Sequence, residues 1–400
     1  MLNRFLRAIT VAAIVLVGGS QLAWAQDELF VANRGPDQIT VYTRTSNGNV
    51  SPLRTLTGAA TGLNTPYGLV VDTVNDELFV TNEGGASITV YGRTSSGNTA
   101  PLRTISGAAT GLNGPVGVAL DLVNNELVVA NLFAGVTVYA RTANGNVAPL
   151  RTISGAVTGL NAPAGVAVDL ANNELSVTNF NGNSVTVYAR TANGNVAPLR
   201  TISGAATGIN GPEGLAVDTV NNELAVANVN LNSVTVYSRT ATGNVAPLRT
   251  LVGAATTMNF PIAVFLDLVS AELVVANFSG NSVTVYSRTA TGNTAPLRTL
   301  AGGSTGLSQP SSVAITLGGA LPTATPTPTS TATPTPTSTP AGVATPTPTA
   351  TATRTPTGVA TPTSTPQGAP GVSVPMVGPG ALALMTAALA LAALLLLRRT

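Results

Sequence analysis

Residues 117–153 read GVALDLVNNELVVANLFAGVTVYARTANGNVAPLRTI, and close copies of this stretch fill the chain between residues 27 and 318. Four short apolar runs, separated by turn residues, occupy 117–121, 126–131, 136–139 and 149–153. The Pro-Leu-Arg-Thr signature recurs at steps of 48 or 49 residues, starting at Pro52, Pro101, Pro149, Pro198, Pro247 and Pro296. Four strands in a unit of that length predict one blade of a β-propeller.

The first and last copies are incomplete in complementary ways. With the four strands of a unit called A to D, the first copy has B, C and D (Glu28 to Asn33, Ile39 to Tyr42, Pro52 to Leu56) but no A. The last A strand, Ser312 to Thr316, has no B after it. Pairing this C-terminal A strand with the N-terminal B, C and D strands would complete a blade and remove the open sheet edge. We therefore predict an all-β, six-bladed β-propeller of four-stranded antiparallel blades.

Backbone chemistry orders the strands within a blade. Proline cannot donate to a sheet ladder, so its place at the head of strand D predicts that D is the outer strand and A the innermost. The aromatic share of 4% predicts a core of Val, Leu and Ala. Asn-Gly pairs such as Asn47-Gly48 and Asn144-Gly145 predict a tight hairpin between C and D. The propeller is expected to span residues 26–320.

The segment before the propeller, residues 1–25, has the plan of a secretory signal peptide. Arg4 and Arg7 precede an apolar run from Ala8 to Val17, and Ala23-Trp24-Ala25 supplies a small-residue cleavage site. Cleavage would leave Gln26 first. An uncleaved membrane anchor is the alternative.

Two segments follow the propeller. Residues 321–372 are rich in Thr and Pro, which predicts a disordered, extended stalk open to O-glycosylation. Residues 373–400 contain an apolar stretch from Gly380 to Leu397 followed by Arg398 and Arg399, which predicts one transmembrane helix with a cytoplasmic arginine tail. This tail also resembles the C-terminal sorting tails of bacterial exported proteins. That resemblance implies processing, and release from the span or transfer off it.

Composition excludes several function classes. The 18 Lys and Arg residues, all of them arginine, face 16 acidic residues, and leaving out Arg4, Arg7, Arg398 and Arg399 leaves 14 against 16. With a net charge of −2, the remaining chain lacks the excess of positive charge expected of a nucleic-acid-binding protein. With no Cys and no His, disulfides, thiol nucleophiles, catalytic triads and imidazole-ligated zinc are excluded.

Most ionisable residues occur once in every blade, which favours a structural role. The glutamates that open strand B, the aspartates that close strand A and twelve arginines predict turn caps and a ladder of Arg–carboxylate pairs. The Asn that ends strand B is expected to cap backbone. No catalytic residue and no metal ligand is assigned. The ligand-binding candidates are residues that break the repeat in the B–C and D–A loops, which meet at one mouth of the channel: Arg34, Asp37, Tyr67, Glu83, Phe133, Phe180, Glu213 and Phe278.

Two repeat families share these motifs. Leu78-Phe79-Val80-Thr81-Asn82 with Ile88-Thr89-Val90-Tyr91 resembles the Tyr-Val-Thr-Asn (YVTN) family of surface propeller repeats. Residues 115–121, PVGVALD, are similar to both that family and the NHL repeat family. The resemblance implies a β-propeller used for binding or display at a cell surface. It also implies kinship with propeller lactonases that hold a metal by Glu, Asn and Asp.

Three functions are compatible with these patterns. The first is a non-enzymatic, extracytoplasmic binding or display module. It would be exported, and either anchored through the C-terminal helix or released by processing. It would contact a protein, peptide or carbohydrate without a cofactor. The second is a calcium-assisted lactone or ester hydrolase using Asp37, Glu83 and Glu213 at the channel mouth. The third is a surface-layer component whose blades serve lateral packing.

Overall fold

Six four-stranded sheets make up the part of the chain that the computed structural model describes, residues 27–316. In chain order the strands are β1 Glu28–Asn33, β2 Gln38–Thr43, β3 Arg54–Thr57, β4 Pro66–Asp72, β5 Glu77–Asn82, β6 Ser87–Gly92, β7 Arg103–Ser106, β8 Pro115–Asp121, β9 Glu126–Asn131, β10 Gly135–Ala140, β11 Arg151–Ile153, β12 Pro163–Asp169, β13 Glu174–Asn179, β14 Ser184–Ala189, β15 Arg200–Ser203, β16 Pro212–Asp218, β17 Glu223–Asn228, β18 Ser233–Ser238, β19 Arg249–Val252, β20 Pro261–Asp267, β21 Glu272–Asn277, β22 Ser282–Ser287, β23 Arg298–Ala301 and β24 Pro310–Thr316. Short 3-10 helices occupy Ala59–Thr61, Ala108–Thr110, Ala156–Thr158, Ala205–Thr207, Val229–Leu231, Ala254–Thr256 and Gly303–Thr305.

The ring closes as the incomplete first and last copies of the repeat predict. Blade 1 has the order β24-β1-β2-β3, and blades 2 to 6 are the consecutive quartets from β4 to β23. Strand β24 pairs antiparallel with β1, placing Glu28 opposite Thr316 and Val31 opposite Val313. The D strands are the outer strands, as predicted. They begin at Arg, two residues after the proline, so the proline precedes the ladder and does not interrupt it.

The six C–D connections form hydrogen bonds to a neighbouring blade and are not the tight hairpins that the Asn-Gly pairs predict. Only the glycine of each pair has a left-handed φ, for example 75° at Gly48. Gly48 donates its N–H to the Thr299 carbonyl at 2.7 Å and accepts from the Ala301 N–H at 3.2 Å, both in blade 6. Asn49 then accepts the Ser304 N–H at 2.7 Å. The prediction failed because these glycines serve a neighbouring sheet.

The core contains more aromatic volume than the composition suggests. The largest fully buried side chains are six tyrosines, one at the end of each C strand, and two phenylalanines. Each tyrosine hydroxyl donates to the carbonyl of a buried threonine in a 3-10 helix, as Tyr91 does to Thr61 at 2.6 Å. Burial raises the pKa of Tyr91 to about 12. Most of the buried apolar residues are Val, Leu and Ala, as predicted, and the aromatic side chains are what the prediction missed.

The repeated charges form the predicted ladder. Within a blade, Arg151 contacts Glu126 at 2.6 Å, and Arg190 of the next blade reaches the same carboxylate at 2.9 Å. Six such interblade contacts run around the ring: Arg44 to Asp267, Arg93 to Glu28, Arg141 to Glu77, Arg190 to Glu126, Arg239 to Asp169 and Arg288 to Glu223. The closing contact, from blade 1 to blade 6, belongs to the same series.

The repeated Asp and Asn residues are caps, as predicted. Asp121 accepts the Asn124 N–H at 2.8 Å and so folds the A–B turn. Asn82 accepts the Asn64 N–H at 3.1 Å, which fixes a D–A loop to strand B.

The predicted signal peptide, stalk and transmembrane helix lie outside the described residues. Within residues 27–316, no helix has the length and apolar character that a membrane crossing requires.

Candidate ligand-binding face

The B–C and D–A loops lie on one face of the ring, which we call the loop face. Backbone hydrogen bonds join the two loop sets within a blade. Glu83 donates its N–H to Thr65 O at 3.1 Å, and Phe180 donates to Ala162 O at 2.9 Å. The residues that break the repeat therefore share one surface around the channel mouth.

Four of the eight candidates meet there, and we call Arg34, Tyr67, Glu83 and Glu213 the mouth cluster. Tyr67 and Glu213 occupy the second position of strands β4 and β16, which belong to blades 2 and 5, opposite each other in the ring. The Tyr67 hydroxyl hydrogen-bonds to the Glu213 side chain. Arg34 contacts Glu83 at 2.7 Å, and its guanidinium lies 5.7 Å from the centroid of the Tyr67 ring. A polar bridge therefore crosses the mouth of the channel.

Burial determines the protonation state of Glu213 in this bridge. Glu213 is 8% exposed, and burial raises its pKa from 4.5 to about 8, against the opposing effects of the Tyr67 hydrogen bond and Arg34. Burial also raises the pKa of Tyr67 well above its usual range. Desolvation outweighs the attraction of Arg34, which is already engaged with Glu83. At neutral pH Glu213 is therefore an uncharged acid that hydrogen-bonds to Tyr67.

Below the mouth cluster lies a cavity of about 320 Å³, lined by the inner A strands. Among the described residues, Tyr67 and Glu213 are the only ionisable ones that line it, and most of the other lining residues are Gly, Ala and Val. The inner strands approach each other closely, since a Cβ on Gly68 would lie 2.1 Å from the Val116 carbonyl oxygen. Phe265 narrows the channel further at a position that carries Val or Ala in the other five blades. Reading the A strands as core alone missed Phe265, although its break in the repeat marks it.

The structure gives Asp37 a capping role. Its carboxylate accepts the Thr65 N–H at 2.6 Å, and its φ is 49°. Asn183, Asn232 and Asn281 hold the same blade position and accept the N–H groups of Gly211, Phe260 and Gln309. Asp37 is thus one variant of a repeated cap between adjacent blades.

The three candidate phenylalanines form the aromatic part of the loop face. Phe133 is 72% exposed and covers Gly114, beside a groove of about 410 Å³ whose lining includes Leu160 and Pro163. Phe180 is half-buried. Phe278 is also half-buried and packs on Phe260, with ring centroids 5.8 Å apart. The charged B–C loops therefore lie on blades 1 and 2, and the aromatic and aliphatic B–C loops on blades 3 to 6.

A calcium site does not fit these residues. Within residues 27–316 there is no group of three acidic side chains placed to hold a metal ion. Asp37 caps a backbone amide, Glu83 contacts Arg34, and Glu213 holds its proton at neutral pH. Calcium takes about six to eight oxygen ligands, and the carboxylates among them must be free to bind it. We therefore derive no calcium-dependent step.

Comparisons with known proteins agree on the fold. The lactonase family, described as seven-bladed β-propellers, matches residues 127–260, about a third of the chain. This match supports a β-propeller relative without distinguishing YVTN from NHL repeats. No curated protein matches the chain significantly.

Several solved structures are similar to this chain. A chain of the nidogen/laminin complex is 17% identical with a TM-score of 0.57, covering 73% of this chain and 99% of that one. The WD40 β-propeller domain of Doa1 is 11% identical with a TM-score of 0.48, covering 70% and 80%. A protein from Desulfotomaculum acetoxidans DSM 771 is 13% identical with a TM-score of 0.46, covering 66% and 75%. At 17% identity the likeness to the chain of the nidogen/laminin complex concerns the fold alone.

Proposed function

We propose that this protein is a non-enzymatic binding module, exported and held at a membrane by its C-terminal segment, that contacts a protein, peptide or carbohydrate through its loop face. The observation that carries the proposal is the distribution of unrepeated residues. Repeated charges are paired around the ring, whereas the loop face carries aromatic side chains that differ between blades, at Phe133, Phe180 and Phe278. The exposed Phe133 side chain beside its groove suits stacking on a sugar or on an apolar peptide side chain.

The mouth cluster supports binding over catalysis. A general base must be ionised and free to take a proton, and a nucleophile needs an activating partner. Glu213 is protonated at neutral pH and bonded to Tyr67, and Glu83 is paired with Arg34. These contacts make the cluster a stable closure of the channel.

The test is binding of the full chain to arrays of immobilised glycans and peptides, comparing Phe133→Ser with Leu150→Ser. Leu150 is a matched control because it is 57% exposed but lies on the opposite face. We expect Phe133→Ser to lose most of the signal and Leu150→Ser to keep it. Equal binding by both variants, or a greater loss in Leu150→Ser, would contradict the proposal.

A lactone or ester hydrolase is the second candidate, favoured by the family match to residues 127–260. It would place the reaction at Glu213 and Glu83, the two unrepeated carboxyl groups of the channel mouth. It requires Glu213 to ionise and the Tyr67 bridge to open. Both requirements oppose the geometry described above.

A further inference from the structure

The face opposite the loop face, which we call the base face, carries most of the exposed apolar surface. It consists of the A–B turns, the C–D loops and the residues that lead into the D strands. Of the 18 large apolar side chains exposed within residues 27–316, 14 lie here: Val50, Leu53, Val74, Leu102, Leu122, Val123, Leu150, Leu170, Leu199, Val220, Leu248, Leu268, Val269 and Leu297. A concentration of this kind on one side of a soluble domain marks an interaction surface.

These side chains form two concentric rings. The inner ring consists of valines at the tips of A–B turns, between 73% and 77% exposed, at Val74, Val123, Val220 and Val269. The turns present them rigidly, since Asp72 accepts the Val74 N–H at 2.9 Å. The outer ring consists of the leucine of each Pro-Leu-Arg-Thr signature, between 51% and 62% exposed in all six blades. The backbone of Leu102 is fixed by its N–H bond to Val90 O at 2.7 Å, while its side chain stays in solvent.

The charged groups of the base face are already paired. Each arginine of the interblade series contacts a carboxylate of the neighbouring blade, and the side chains of Arg141 and Glu77 are each only 12% exposed. The surface therefore offers apolar contact with little free charge. Repetition around the ring sets the six leucines at matching heights, so the target that engages all blades at once is flat and apolar.

The course of the chain selects between flat targets. The described chain enters at Asp27 and leaves at Thr316, and both residues lie at the base face in blade 1. Thr316 ends an inner strand, so the described chain ends beside the channel at the centre of this face, and 84 residues follow it in the sequence. Two copies packed face to face would bring two such chain ends together in the middle of their interface. A bilayer is compatible with these chain ends, because the sequence after Thr316 includes the apolar stretch 380–397 followed by Arg398 and Arg399.

We infer that the base face lies on the lipid bilayer, with its valine and leucine rings at the headgroup boundary and the loop face turned outward. This inference rests on the membrane attachment proposed above. The Thr/Pro-rich stretch permits the contact, and the apolar rings stabilise it by burying exposed side chains in the interface. Because the arginines are paired, zwitterionic lipid suffices and added salt has little effect.

Single cysteines test the inference, since the chain has no cysteine of its own. Val123→Cys on the base face and Phe133→Cys on the loop face are a matched pair in blade 3, with exposures of 77% and 72%. Leu102→Cys provides a second base-face position. Each full-length variant, checked by circular dichroism, is labelled with a polarity-sensitive fluorophore and reconstituted into phosphatidylcholine vesicles containing nitroxide lipid. We expect strong quenching and a blue shift at positions 123 and 102, unchanged by high salt, and neither effect at position 133.

Three results would overturn the inference, and they differ in what else they affect. If the chain floats with the vesicles but positions 102 and 123 are not quenched, docking fails while membrane attachment stands. If the chain does not float, attachment fails as well. If unlabelled Val123→Cys chains form disulfide-linked dimers in place of the lipid contact, the occupant of the base face is a second copy.

Discussion

Replacing Glu213 with glutamine tests whether the channel mouth is closed. The folded protein holds the Glu213 proton up to about pH 8, whereas the unfolded chain releases it near pH 4.5. Below pH 4.5 both states are protonated and the carboxyl group contributes no pH dependence. As the pH rises above 4.5 the unfolded state is increasingly favoured, because only there is the group ionised in water.

The size of the effect follows from the shift. A difference of about 3.5 pKa units corresponds to about 5 kcal/mol, lost at about 1.4 kcal/mol per pH unit between pH 4.5 and 8. Glutamine does not titrate but keeps the shape and most of the hydrogen bonding of a protonated glutamic acid. The free energy of unfolding of wild type minus that of Glu213→Gln should therefore fall across this window and level off above pH 8.

Urea unfolding followed by circular dichroism at pH 4.5, 6 and 8 measures this difference. Tyr67→Phe provides a directional control, because loss of the hydroxyl removes a hydrogen bond that lowers the pKa of Glu213. In that variant the pH-dependent loss should extend above pH 8. A difference between wild type and Glu213→Gln that stays constant with pH would refute the reasoning and indicate an ionised, solvated Glu213 at an open mouth.

Three further changes probe the packing of the ring, each by the free energy of unfolding. Gly68→Ala should lower the free energy of unfolding by more than about 3 kcal/mol, since the added Cβ would clash with a carbonyl oxygen. The control Gly145→Ala, at φ 76° with open space around the Cβ, should lower it by only about 1–2 kcal/mol. Equal losses would contradict the close approach of the inner strands. Glu126→Gln should lower the free energy of unfolding by about 2–4 kcal/mol, because two arginines lose their shared carboxylate. A loss of no more than about 0.5 kcal/mol, the size expected for a surface substitution, would show that the ladder does not stabilise the fold. Tyr91→Phe should cost about 1–2 kcal/mol through the buried Thr61 carbonyl that it leaves without a donor, and an unchanged stability would exclude that hydrogen bond as a contributor.

The fold was predictable because its determinants repeat. Incomplete first and last copies identify the closing blade, and proline placement identifies the outer strand. The same reasoning failed at the C–D connections, where Asn-Gly has a familiar local meaning but these loops contact a neighbouring blade. It also undervalued the C-strand tyrosines, because a low aromatic percentage does not reveal that each of these six side chains is fully buried.

The candidate site was predictable in part. Breaks in the repeat led to Arg34, Tyr67, Glu83 and Glu213, and these four side chains do meet. Composition could not reveal that Tyr67 and Glu213 bond across the channel, although both stand at the second position of inner strands three blades apart. Asp37 was grouped with them because it is acidic where other blades have Asn or Ala, and its hydrogen bond to Thr65 explains that position as a cap. Burial of Glu213, which sets its charge, depends on packing that a single sequence does not show.

The most direct test of the central claim, that the loop face binds without chemistry, is turnover of a panel of lactones and aryl esters by the purified full chain, with and without calcium. The account predicts rates equal to those of buffer alone and of Glu213→Gln at every pH from 5 to 9. Calcium-dependent hydrolysis that Glu213→Gln abolishes would contradict it and establish the channel mouth as an active site.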